Sequence, residues 1–270
     1  MIKLFSTLKK YIKIYFVFIK NSLMAQMEFR TNFIISICTE CAFLFAKLLY
    51  VIVIFHAGTK INGFSPYAML MFIGSYTVIT GVMDAIYFPN LSKISDYVRN
   101  GDLDMMIIKP ISTQFLVTMR YIDFGLAVPN LIAGIAMVVI SWVKIAVTFN
   151  IINIIGFVAF TIIGIIISYP ILLFPFLLSF WVVKIQAISD ITWALWDFNN
   201  APMTIYGKWL QRIGIFIIPI FVITNFAPMF VMNILSKGLI FWAITAPIIF
   251  FILVNKFWNY AIKNYSSASS

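Results

Sequence analysis

The run TIIGIIISYPILLFPFLLSFW, residues 161–181, carries no charged side chain. Few folded states accept such a stretch. About 20 apolar residues in helical form cross about 30 Å of hydrocarbon, where every backbone polar group must be satisfied internally. The rest of the chain is similar: of 270 residues, 63% are hydrophobic and 10% charged, against roughly 45–50% and about 25% in soluble domains. Mean hydropathy is +1.02. This composition describes an all-α integral membrane protein with no room for an appended soluble domain, so any site lies in a helix or a short loop.

The formal net charge of +10 does not point to nucleic acid here. It fits lysines placed at cytoplasmic helix ends beside anionic lipid. Cys38 and Cys41 form a C-x-x-C inside the apolar run ICTECAF. Without further ligands they read as two small buried thiols rather than a zinc or redox pair.

The first segment is not a signal peptide, because lysines interrupt its apolar run. At about 100° per residue, Lys3, Lys9, Lys10, Lys13 and Lys20 share one helical face, and Leu4, Phe5, Leu8, Ile12, Tyr15, Phe16 and Ile19 the other. That pattern predicts a surface-lying amphipathic helix over 1–30. Six spans follow, over 31–55, 66–88, 112–143, 151–182, 186–200 and 238–259. The third is longer than a bilayer needs, so its Arg120 end is expected to project or tilt. Pro170 and Pro175 are expected to kink the fourth without turning the chain back, because a turn there would bury Lys184 in a span.

Six spans put both termini on one side. The N-terminal segment, the 89–111 loop, Lys184 and the chain end hold most basic residues, against Lys60, Lys144, Lys208, Arg212 and Lys237 on the other side. By the positive-inside rule the termini and the 89–111 loop are cytoplasmic. In that loop, VRNGDLDMMIIKPIS is the longest polar interruption of the chain. Asn90 could cap a short helix carrying Leu91, Ile94 and Val98; Gly101 suits its left-handed end; Asp102 could cap a second helix before Pro110. This predicts a compact knob, and equally a well-capped interhelical turn.

With these features in hand the chain resembles the membrane subunit of a type-2 ABC exporter. The likeness rests on the surface-lying first helix, on MEFRTNFI entering the first span, on VRNGDLDMMIIKPIS, and on FWVVKIQAISDITWALWDFNNAPMTIYGKWLQRIGIFIIPIFVITNFAPM. Within that class it is similar to permease components with a loop of the form R-x-G-x-L-D-x-x-L-x-[KR]-P, matched by Arg99, Gly101, Leu103, Asp104, Lys109 and Pro110, with Ile107 in place of the leucine. The resemblance implies a coupling helix that seats in a separate cytoplasmic P-loop ATPase, with Leu103 and its neighbours docking and Arg99, Asp102 and Asp104 setting register. It implies two ATPase copies, which bind the ATP and magnesium, and a second permease chain forming a homo- or heterodimer. The chain itself has no G-x-x-x-x-G-K-[ST] phosphate loop and is expected to be non-catalytic and without a cofactor of its own. The cargo expected of the class is amphipathic: a drug, antimicrobial peptide or lipid-like molecule. Residues 201–237, rich in proline yet too apolar for a solvated loop, read as a re-entrant outer segment rather than further spans.

Within the spans, Glu40, Lys47, Asp84, Asp190 and Asp197 each either pair structurally or line a transport path or subunit interface. Glu40 and Lys47 share a face but are separated by about 10 Å along the axis, too far to pair. An alternative function, an ion- or proton-coupled secondary transporter, would use Glu40, Asp84, Asp123, Asp190 and Asp197 as relay groups, yet no inverted repeat is visible between the halves. An intramembrane hydrolase lacks its motifs, and the single His56 falls in an outer loop.

Overall fold

A computed structural model describes residues 2–57, 64–145, 150–182 and 185–265. The loop with Lys60 and Gly63, Lys184, and the side chains of Lys3 and Leu4 lie outside the described residues. Cys38 and Cys41, expected buried, are free thiols exposed on the second helix, whose outer face meets no other helix among the described residues. Every long element described is helical. Helix α1 (Ile2–Glu28) and α2 (Arg30–Ala57) are followed by α3 (Pro66–Ile86), then by three short helices, α4 (Phe88–Leu91), α5 (Ile94–Asn100) and α6 (Asp104–Ile107). After α7 (Thr113–Met119) come α8 (Phe124–Lys144), α9 (Ile151–Leu177), α10 (Ile185–Asp197), α11 (Lys208–Arg212), α12 (Ile220–Val231) and α13 (Lys237–Lys263).

Five helical runs are long and apolar enough to cross a membrane: Arg30–Val53, Pro66–Ile86, Phe124–Lys144, Ile151–Phe180 and Lys237–Lys263. A sixth arises if Lys208–Ile217 and Ile220–Val231, bent by 103° at their junction, count as one broken span. Helix α9 continues through Pro170 and Pro175 without turning back. Two expected spans change. The span over 186–200 is only the 13-residue α10, which rises about 20 Å where about 30 Å is needed. The span over 112–143 is two helices, broken at 120–123 because that backbone is claimed by side chains elsewhere. Asn90 Nδ2 donates to the Tyr121 carbonyl at 2.7 Å and Asn90 Oδ1 accepts from Tyr121 N at 2.8 Å. Gln26 Nε2 donates to the Ile122 carbonyl at 2.8 Å, and Ser22 Oγ accepts from Ile122 N at 3.1 Å. Asp123 then caps α8, accepting from Gly125 N and Leu126 N. The backbone of Tyr121 and Ile122 and the first amides of α8, orphaned by the break, are thus satisfied.

Helix α3 is the buried axis of the bundle, started by Ser65, whose hydroxyl accepts from Ala68 N at 3.2 Å, and by Pro66. It packs on α8 through small residues: a Cβ on Gly134 would stand 2.8 Å from Val78 N and 2.9 Å from the Gly74 carbonyl. In lipid, where hydrophobic association between helices is weak, such close backbone approach supplies the packing. Helix α12 is enclosed almost completely, with Phe221, Val222, Ile223 and Phe226 fully buried. A Cβ at Gly164 of α9 would come within 2.1 Å of the Ile223 carbonyl.

The irregular stretch before α12 is held by polar groups inside protein. Asn225 Oδ1 accepts from Met203 N at 2.7 Å, and Thr224 Oγ1 donates to Asn199 Oδ1 at 2.9 Å. Non-helical backbone near an apolar core survives on such terms.

Candidate functional site

Residues 88–112 fold as a knob at one end of the bundle. Its turn is set by Gly101, whose φ of 78° lies in the left-handed region that glycine enters without steric cost. The capping differs from the sequence expectation. Asn90 lies within α4 and is spent on Tyr121 and the Ile86 carbonyl rather than capping α5. Asp102 is exposed and caps nothing, because α6 begins one residue later with Leu103 at its N-cap.

Leu103 also departs from the docking role expected of it. It is 1% exposed and joins Leu91, Ile94 and Met106 in the main core. The outward apolar groups are instead Met105, 67% exposed, Ile108, 75% exposed, and Ile107. Around them Arg99 pairs with Asp96 at 3.1 Å, and Lys109 and Pro110 are exposed. Asp104 opens α6, and burial followed by this carboxylate holds the Tyr265 phenol above its usual pKa.

The knob is stapled to the N-terminal helix. Lys10 Nζ donates to the Pro110 carbonyl at 2.9 Å, and Ser112 N donates to the Tyr11 hydroxyl at 2.9 Å. Phe115 of α7 packs against Tyr11, Tyr15 and Phe18, with centroids 4.9, 6.4 and 5.8 Å away. Helix α1 therefore has three faces: Tyr11, Tyr15 and Phe18 toward protein, Lys9, Lys13 and Lys20 outward, and Phe5, Leu8, Ile12 and Phe16 exposed as an apolar stripe. A stripe of that kind beside lysines suits the bilayer surface.

A second polar constellation lies among α2, α3 and α8. Glu40 is 7% exposed and accepts a 2.7 Å hydrogen bond from Asn130 Nδ2. Lys47 Nζ sits 5.2 Å from the centroid of the Tyr76 ring. Asp84 lies within electrostatic reach of both Glu40 and Lys47. The structure thus gathers Glu40, Lys47 and Asp84. It leaves Asp190 and Asp197 exposed on α10, accepting from Gln186 at 2.9 Å and Asn200 at 3.0 Å. Asn130 and Tyr76 were not among the expected site residues; an asparagine in the middle of an apolar run is the signal that marks the first.

The family model for an ABC-2 family transporter protein matches residues 41–269. No curated protein and no solved structure matches significantly.

Proposed function

Because the chain belongs to the ABC-2 family of transporter proteins, we propose that it is the permease subunit of an exporter driven by a separate P-loop ATPase. The observation that carries this reading is the knob: Leu103 and Met106 anchor it to the bundle core while Met105, Ile107 and Ile108 stand outward. A rigid apolar tip tied to span ends is what a partner's nucleotide-driven closure would need in order to move the bundle. Arg99, Asp102, Asp104 and Lys109 around the tip would fix orientation, and Gly101 and Pro110 its shape. ATP and magnesium belong to the partner, present in two copies, and a second permease chain, identical or different, completes the membrane part. The knob and both termini face the cytoplasm, as the lysine distribution favours. The bent α11–α12 unit acts as a re-entrant outer segment, and the cargo is amphipathic and moves outward. In this reading Glu40, Lys47 and Asp84 tie α2 to the bundle beside the path or the subunit interface, while Asp190 and Asp197 on α10 face the path or the second permease chain.

The test is co-purification with the ATPase encoded alongside. Ile108→Asp should sever the ATPase while the chain still inserts in the membrane. Retention of the ATPase by this variant, or an active transporter purified with no ATPase, would overturn the reading.

A further inference from the structure

At the knob-bearing end, a cleft of about 440 Å³ opens between α1, the segment after α6 and the 120–123 break. Its polar lining is Asn21, Ser22, Lys109, Arg120 and Tyr121, over an apolar floor that includes Leu116, and no acidic residue lines it. Two cations, Lys109 and Arg120, line it. Arg120 lies 5.2 Å from the centroid of the Tyr121 ring, which Lys93, outside the cleft, also approaches at 4.0 Å. Among the described residues none of the three has a carboxylate partner, the ion pair being Arg99–Asp96. The nearby Asp123 does not line the cleft, and its Oδ1 caps the first amides of α8.

The cleft sits where three membrane-spanning candidates start or stop, at Arg30, Ile86 and Phe124, beside the apolar stripe of α1. That is the headgroup level of a bilayer, where aromatic and basic side chains concentrate. Amide and hydroxyl groups of Asn21 and Ser22 add to the two cations of the lining. Arginine in particular offers the forked donors that suit a phosphate.

We propose that this cleft binds a phosphate ester, the headgroup of an anionic glycerophospholipid whose acyl chains run along the apolar face of α1. The lipid fills the space between the surface helix and the knob and neutralises Lys109 and Arg120. The proposal does not depend on the knob's partner.

The full-length chain is reconstituted in nanodiscs of phosphatidylcholine with or without phosphatidylglycerol, released, and its retained lipids counted by native mass spectrometry. Wild type should retain phosphatidylglycerol in preference. The double variant Lys109→Gln, Arg120→Gln should lose that preference by about fivefold per cation removed. Lys109→Gln alone, at an exposed position outside the hydrogen-bonded break, should lose one such factor, so the idea is testable even if the Arg120 change disturbs folding. Lys9→Gln, Lys13→Gln on the outward face of α1 should lower the retained preference by less than Lys109→Gln, because those lysines meet bulk headgroups rather than a lipid held in the cleft. Unchanged preference in Lys109→Gln, or equal loss in the α1 control, would overturn the site. Protection of Lys109 from acylation by inorganic phosphate in pure phosphatidylcholine discs, with no protection from phosphatidylglycerol, would overturn the lipid as its occupant.

Discussion

Asn130 of α8 donates a 2.7 Å hydrogen bond to the Glu40 carboxylate of α2. Asn130 also packs closely on α3, since a Cβ on Gly81 would meet Asn130 Cβ at 2.7 Å. Removing the amide leaves a carboxylate in an apolar bundle without its donor. Asn130→Leu should therefore destabilise the protein by about 2–4 kcal/mol, and Glu40→Met combined with it should recover part of the loss. Thermal unfolding of the single and double variants in one detergent checks this; strict additivity would show that the two side chains are not coupled.

Gly164 and Gly207 separate packing from backbone effects. Gly164→Ala drives a methyl into the Ile223 carbonyl, whereas nothing lies within 4 Å of a Cβ on Gly207. The first should cost about 1–3 kcal/mol, typical of overpacking, and the second far less. Unfolding midpoints of the two variants measure the contrast.

Gly101→Val should deform the knob without removing a contact. A β-branched residue at φ 78° carries a left-handed penalty of about 1–2 kcal/mol. The expected outcome is normal membrane insertion with reduced capture of the ATPase, read from the amount co-purified; Gly101→Asn, which tolerates that backbone region, should recover most of it.

Tyr97 of α5 offers a pH readout of the knob. Burial, followed by the neighbouring Tyr121, pushes its phenol up to about 12 against an ordinary 10.0, with Arg120 opposing. Its folded value is raised, so its contribution to stability is complete below about pH 10 and is lost as the pH rises toward 12. Absorbance near 295 nm, wild type minus Tyr97→Phe, should show no phenolate from this residue at pH 10.5. A titration midpoint near 10 would show that the phenol is solvated.

The all-helical membrane architecture was legible because hydrocarbon imposes it: long uncharged runs have no other way to satisfy their backbone. The Gly101 turn was legible for a similar reason, one residue type matching one backbone region. The break at 120–123 was not, because its cause is distant. Gln26 and Ser22 bond to the Ile122 backbone from 96 and 100 residues away, and no local pattern in Arg120–Asp123 announces them. The role given to Leu103 failed on a geometric point: in a helical turn this short, a shift of one or two residues exchanges inside for outside, so Met105 and Ile108 took the surface and Leu103 the core. Glu40 and Lys47 were visible as charges in an apolar run, but their partners Asn130 and Tyr76 came from other helices.

The hydrogen bonds from Gln26 and Ser22 also set an order of events during synthesis. These side chains leave the ribosome well before the backbone they hold, and until residues 110–122 follow, the first helix lacks the knob and break that later hold it. Its lysines and exposed phenylalanines give it a bilayer to wait on. Only when Ile122 arrives does the third crossing begin, at Phe124, so the beginning of the chain marks where a later passage through the membrane starts.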